Sequence, residues 1–133
     1  MSQENVELLH RADDAFRRRD LDAFLAIFDP DVEFSSRIVE MEGGGPLSGH
    51  DGIRRWWNDV FTVFPDFRSE IEEVRDLGDT TITRVSLHGQ GIGSDVPTEQ
   101  TQWIVSQWRH AKAIRWRSVG SEAEALEAAG LRE

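Results

Sequence analysis

The chain of 133 residues contains no cysteine and no tyrosine, only four prolines, and no apolar run approaching the ~20 residues that cross a bilayer as a helix. Without cysteine a disulfide framework is excluded, and no basic-then-apolar segment of the secretory kind opens the chain. These absences predict a cytoplasmic protein with no membrane partner. Positive charge is also scarce: 15 Lys and Arg stand against 25 Asp and Glu, a formal net charge of −10. Nucleic acid is held by clustered Lys and Arg that release counterions, so no nucleic-acid partner is expected. The densest basic spots, Arg17-Arg18-Arg19 and Arg115-Trp116-Arg117, fall within amphipathic elements and read as solvated faces or local ion pairs. The acidic surplus bears mainly on solubility.

What is present suffices for one domain over residues 1–133, since a 38% hydrophobic composition can fill a core that needs no metal or disulfide staple. Val6, Leu9, Ala12, Ala15 and Phe16 recur at helical spacing over residues 3–19, and the three arginines that follow suit a helix C-terminus. Asp20 reads as the N-cap of a short second helix burying Leu21, Phe24, Leu25, Ile27 and Phe28, stopped near Pro30. Val32 to Ser36 alternates like a strand, and Gly43-Gly44-Gly45-Pro46 reads as a loop. A third helix is expected over about 51–64, with Ile53, Trp56, Trp57, Val60, Phe61 and Phe64 on one broad stripe ended by Pro65.

From Phe67 the period changes to about two, predicting strands over 67–77, 80–91, 98–109 and 112–119. Their phases are uneven: Phe67 and Ile71 share a side that Val74 does not, and Ile82 opposes Val85 and Leu87. Bulges or strong coiling would reconcile them. The strand over 98–109 is apolar on both faces, with Trp103 and Val105 on one and Ile104 and Trp108 on the other. Either a second subunit covers the outer side or the strand curls to bury both, and we expect a homodimer through the outer sheet face. With His110-Ala111 where a hairpin would favour Asp-Gly, a regular type I′ turn is not expected between the last two strands. The chain closes on a capping box, Ser121 with Glu124, and a helix stopped by Gly130.

These segments carry a resemblance. Ala12-x-x-Ala15-Phe16 before Asp20-Leu21, then Asp29-Pro30-Asp31-Val32-x-Phe34, then Gly49-His50-x-Gly52-Ile53, and the ending from Arg115 to Leu131 resemble the nuclear transport factor 2-like superfamily, and within it the SnoaL-like group. The resemblance covers nearly the whole chain and implies an α+β cone. A curved, largely antiparallel sheet would wrap the three helices of the N-terminal half, with a short C-terminal helix and an outer sheet face used for dimers. The superfamily includes ketosteroid isomerases, polyketide cyclases, epoxide hydrolases and dehydratases as well as proteins without known activity, so the likeness fixes a fold and leaves the chemistry to the site. Aligned with the isomerases, the oxyanion-binding tyrosine falls at Ala12 and the general base at Ser36. Neither side chain can do that work, and the chain has no tyrosine elsewhere.

Asp13 is the candidate catalytic residue, because it stands one turn before Phe16 on the first helix, where relatives carry an aromatic. Two orientations stay open: facing an apolar cavity, which would raise its pKa and equip it as an acid or base, or rotated so that Asp13 and Asp14 both meet water. The candidate ligand pocket takes Phe16, Phe34, Ser36 and Trp56 from the first half of the chain. Phe61, Trp103 and Trp116 complete it, a ring-rich wall suited to a flat apolar or polycyclic metabolite. Ser35, Ser36 and Arg37, with Arg115 or Arg117, could orient such a ligand. His88 alternates away from the buried side of its strand, and His50 either closes a loop against the sheet or looks into the pocket mouth.

No metal and no cofactor are expected: the four histidines lack H-x-x-x-H or H-E-x-x-H spacing, and Gly43-Gly44-Gly45 lacks the context of a phosphate cradle. No G-x-S-x-G marks a serine nucleophile. Three function classes remain: a binder of a small apolar metabolite, an isomerase, cyclase or hydrolase using a pocket carboxylate, and a protein-interaction module.

Overall fold

Helix α1 (Ser2–Arg17) forms where Leu9, Ala12, Ala15 and Phe16 recur on one face, and all four are buried. The computed structural model describes residues 2–36, 47–89 and 98–130, so Arg37 and the expected loops at 43–46 and 94–97 lie outside the described residues. Arg19 ends α1 in the left-handed region at φ 59°. The amide of Asp20 donates to the Ala15 carbonyl at 2.9 Å and that of Arg19 to Phe16 at 3.2 Å, the two crossed bonds of a Schellman cap. Asp20 then serves as N-cap of α2 (Leu21–Leu25), its carboxylate accepting the Ala23 N–H at 3.1 Å.

Strand β1 (Phe28–Ser35) starts four residues before the alternation at Val32 announces it. Its pairing with the last strand is parallel, and the register shifts between Phe28 and Glu33. Pro30 falls inside that irregularity, where the missing N–H breaks no ladder bond. A two-residue strand that the sequence does not announce, β2 (Leu47–Ser48), pairs with β1 and leads into α3 (Gly49–Val63). Gly49 sits at φ +67°, and a Cβ there would meet the Pro30 carbonyl at 2.9 Å.

The remaining strands are β3 (Arg68–Asp76), β4 (Thr80–Gly89), β5 (Thr98–Arg109) and β6 (Lys112–Val119). The sheet order is β2-β1-β6-β5-β4-β3, antiparallel except for β1 against β6. This is the α+β arrangement expected, a six-stranded sheet with α1, α2 and α3 against its inner face. The uneven phase of β3 resolves as a register shift between Ile71 and Glu73, so that Ile71 opposite Val85 and Val74 opposite Thr83 can serve one face.

At the β5–β6 hairpin the structure departs from expectation. His110 and Ala111 both have positive φ, 52° and 61°, the backbone of a type I′ turn. The pairing of Arg109 with Lys112 leaves only two loop residues, and the right-handed twist of the strands selects that backbone over local preference.

The outer face of the sheet is covered in part by α4 (Glu122–Ala128). Ala125 is fully buried against Ile82, Val105 and Val119, with Trp103 and Leu126 packed alongside. The capping box is present, Ser121 Oγ accepting the Glu124 N–H at 3.2 Å, although Glu124 reaches back one residue further, to the Gly120 N–H. Much of the apolar outer face of β5 is therefore covered from within the same chain.

Candidate functional site

Between the helices and the inner face of the sheet lies a cavity of about 80 Å³. Helix α1 supplies Leu9, Ala12, Asp13 and Phe16, and α2 and α3 supply Phe24 and Trp56. The strands supply Phe34 and Trp116, with Ser36 just past the end of β1, at one side and Ser69, Ile71, Thr83, Val85, Leu87, Gln102 and Ile104 at the other. Phe16 is the hub of the wall, stacked on Trp56 at 5.8 Å and edge-on to Trp57 at 5.4 Å. The Trp56 indole N–H donates to Ser36 Oγ at 3.1 Å, which fixes the ring against the end of β1.

Asp13 lines this cavity and Asp14 does not, so the two do not share a solvent-facing side. The Asp13 side chain is 11% exposed, pairs with Arg17 at 3.1 Å and accepts the Ser69 hydroxyl at 3.1 Å. Asp14, 64% exposed, pairs with Arg18 at 2.9 Å. Burial pushes the Asp13 carboxyl above the ordinary aspartate range, and Arg17 and Ser69 offset part of that rise. Among the described lining residues Asp13 is the one ionisable group, and no Lys, Arg or His joins it.

Five of the seven expected pocket residues, Phe16, Phe34, Ser36, Trp56 and Trp116, line the cavity. Trp103 does not: alternation along β5 places it on the outer face with Val105, packed on the α4 cluster. Phe61 does not either, because it lies one layer behind the wall, 5.1 Å from Phe16 and 5.1 Å from Trp57, with the Arg19 guanidinium 4.0 Å over its ring. Ala12 and Ser36, the positions of the isomerase donor and base, both line the cavity and present a methyl and a hydroxyl. Ser35 also lines it, whereas Arg115 points outward toward Glu33 at 3.8 Å.

His50 closes its loop against the sheet, its ring nitrogen 2.9 Å from the Phe28 carbonyl oxygen. His88 stands beside Ser86 and 3.9 Å from Glu70, away from the cavity lining. Among the described residues no three His, Asp or Glu side chains are grouped as metal ligands, and no helix is long and apolar enough to cross a membrane.

The sequence reading misses Thr83, Gln102 and Ser69. The signal exists for the first two: Thr83 shares the parity of Val85 and Leu87, and Gln102 that of Ile104, so both are polar residues on the buried phase of a strand. Ser69 enters the site because it faces Asp13 across the α1–β3 contact, a tertiary fact.

Among curated proteins none matches the chain. Solved structures of the same fold do. A nuclear transport factor 2-like protein of unknown function from Burkholderia pseudomallei superposes with a TM-score of 0.80 at 21% identity, covering 93% of this chain and 95% of that one. TerC, co-crystallised with polyporic acid, gives 0.80 at 24% identity over 93% and 96%. A protein with a ketosteroid isomerase-like fold from Catenulispora acidiphila, in complex with trimethylamine, gives 0.77 at 16% identity over 95% and 94%. At these identities the likeness is one of fold. The SnoaL-like domain matches residues 9–119, and the chain belongs to that family of the nuclear transport factor 2-like superfamily.

Proposed function

We propose that the protein binds a small, largely apolar organic molecule in the cavity between its helices and sheet. The observation that supports this is a cavity walled by Phe16, Phe34, Trp56 and Trp116 with a few polar groups set among them, the usual make-up of a small-molecule site. At about 80 Å³ the cavity is about half the ~150 Å³ apolar cavity that encloses benzene, which supports a guest of no more than one ring over a polycyclic one. TerC with polyporic acid and the Catenulispora protein with trimethylamine are proteins of this fold found with small organic molecules, in keeping with the reading. Crystallography and native mass spectrometry of protein purified without added ligand test it. A molecule seated on Trp56 and Trp116 supports the proposal. A cavity that holds only water, in protein whose indole N–H resonances do not move with small cyclic ketones or hydrocarbons, overturns it.

A second reading, proton transfer by Asp13 on the bound molecule, is favoured by its place as a buried carboxylate on the cavity wall. A general base needs a pKa drawn toward the working pH, and burial moves Asp13 in that direction. The same shift has a stability signature. A carboxyl whose pKa is raised in the folded state binds its proton more tightly there than in the unfolded chain. Its favourable contribution is therefore full below the ordinary value of 3.8 and is lost as pH rises through the raised value. Asp13→Asn should melt above the wild type at neutral pH, with the gap closing as pH falls below that value. A gap that widens on acidification would show that the Arg17 pair, and not burial, dominates.

A further inference from the structure

Not every polar group on the cavity wall has a partner inside the protein. Ser36 accepts the Trp56 N–H and Ser69 donates to Asp13, but Thr83 Oγ1 and Gln102 Nε2 have no hydrogen-bond partner among the described residues. Both side chains are more than nine-tenths buried, at 1% and 4% exposure. Both line the cavity. In the register of β4 with β5, Thr83 stands opposite Ile104, so Gln102 is its diagonal neighbour on the same inner face, within reach of a shared third group. Ser106 Oγ is also unpartnered, but it does not line the cavity.

Buried donors without partners are rare because each forfeits its hydration without return, and valine and methionine would fill the same space without that loss. An amide nitrogen and a hydroxyl share one capacity, donation, so what they lack is an acceptor. The charge of the wall limits which acceptor. Asp13 is the ionisable lining residue and is already paired with Arg17, and no Lys, Arg or His among the described lining residues would balance an anion, so a carboxylate or phosphate would be buried without a counter-charge. The acceptor that fits is a neutral oxygen.

Resting on the binding reading, we propose that Thr83 and Gln102 anchor the carbonyl oxygen of a neutral ketone, aldehyde or ester, while the aromatic wall holds its hydrocarbon part. The pair sets both the orientation of the guest and the discrimination between a carbonyl compound and a hydrocarbon of the same shape.

Cyclopentanone and methylenecyclopentane differ only by oxygen in place of a methylene group, and their binding can be followed by NMR at the Gln102 side-chain amide and the tryptophan indoles. The wild type should bind the ketone about fivefold more tightly, the worth of one net hydrogen bond. Gln102→Met and Thr83→Val keep the volume. Each should reduce that ratio, and together they should bring it to about one without weakening the hydrocarbon. Because both changes remove unmet polar atoms, the variants should melt no lower than the wild type. Should a variant fail to fold, the wild-type ratio still decides. Equal affinity for the two probes, or a ratio that survives both substitutions, overturns the anchor while leaving the binding reading intact. Failure of both probes to bind at their solubility limits overturns both. Cyclopentanecarboxylate binding more tightly than the ketone would overturn the choice of a neutral ligand.

Discussion

The two faces of the sheet are packed in opposite ways. The inner face meets a large cluster rich in rings, among them Phe16, Phe24, Phe28, Phe34, Trp57, Trp108 and Trp116, and still leaves a hollow. The outer face meets a small cluster of Ile82, Val105, Val119 and Ala125, closed by a seven-residue helix. Large planar side chains tile poorly, and where three helices and six strands converge the mismatch remains as space. On the outer side a few aliphatic groups, with Trp103 and Leu126 beside them, pack under one short helix. The contrast separates a face that leaves a hollow from one that the chain's own last helix fills.

Four substitutions would break or sharpen that contrast. The largest effect should come from Phe16→Ala, which removes the hub ring of the inner cluster and should cost about 3–5 kcal/mol in denaturant unfolding. A loss below about 1 kcal/mol would mean the hollow can collapse. On the outer side Ala125, with no exposed surface, has no room to grow. Ala125→Leu should cost about 1–3 kcal/mol by overpacking, read in the same assay, and a neutral result would reveal slack beneath α4. Ser121→Ala, which deletes the cap that holds α4 in place, should cost about 1 kcal/mol and loosen amide protection at Glu124 and Ala125 while leaving α1 unchanged. The smallest effect should be a gain. Ala111→Gly relieves a left-handed alanine at φ 61° and should stabilise by about 0.5–1 kcal/mol, whereas destabilisation would place the preference in the flexibility of the unfolded chain.

How far the sequence reaches follows the same division. The outer arrangement is readable because its signals are local: Ser121 and Glu124 lie three apart and Gly130 marks the stop. The helices that floor the cavity are readable for the same reason, as is the bulge in β3, which the mismatch of Ile71 and Val74 announces. The early start of β1 is not, because its partner β6 lies more than eighty residues away and no short-range pattern encodes a parallel pairing. Trp103 and Phe61 cannot be sorted from the true wall by hydrophobicity alone. One stands on the far side of the sheet and the other one layer back, and only strand parity or the packed helix tells them apart. The orientation of Asp13 depends on the rotation of α1, which its contact with β3 decides.

Arg19 gives that rotation a mechanical origin. Its guanidinium spans the Phe16 carbonyl at 3.0 Å and the Phe67 carbonyl at 2.6 Å, riveting the end of the first helix to the residue before β3. Asp13 stands less than two turns upstream of that rivet and Ser69 two residues beyond it, so a side chain outside the cavity lining ties together the two elements that carry the carboxylate and its hydroxyl partner. A substitution at this position would therefore act on the Asp13–Ser69 contact without altering a single residue of the cavity.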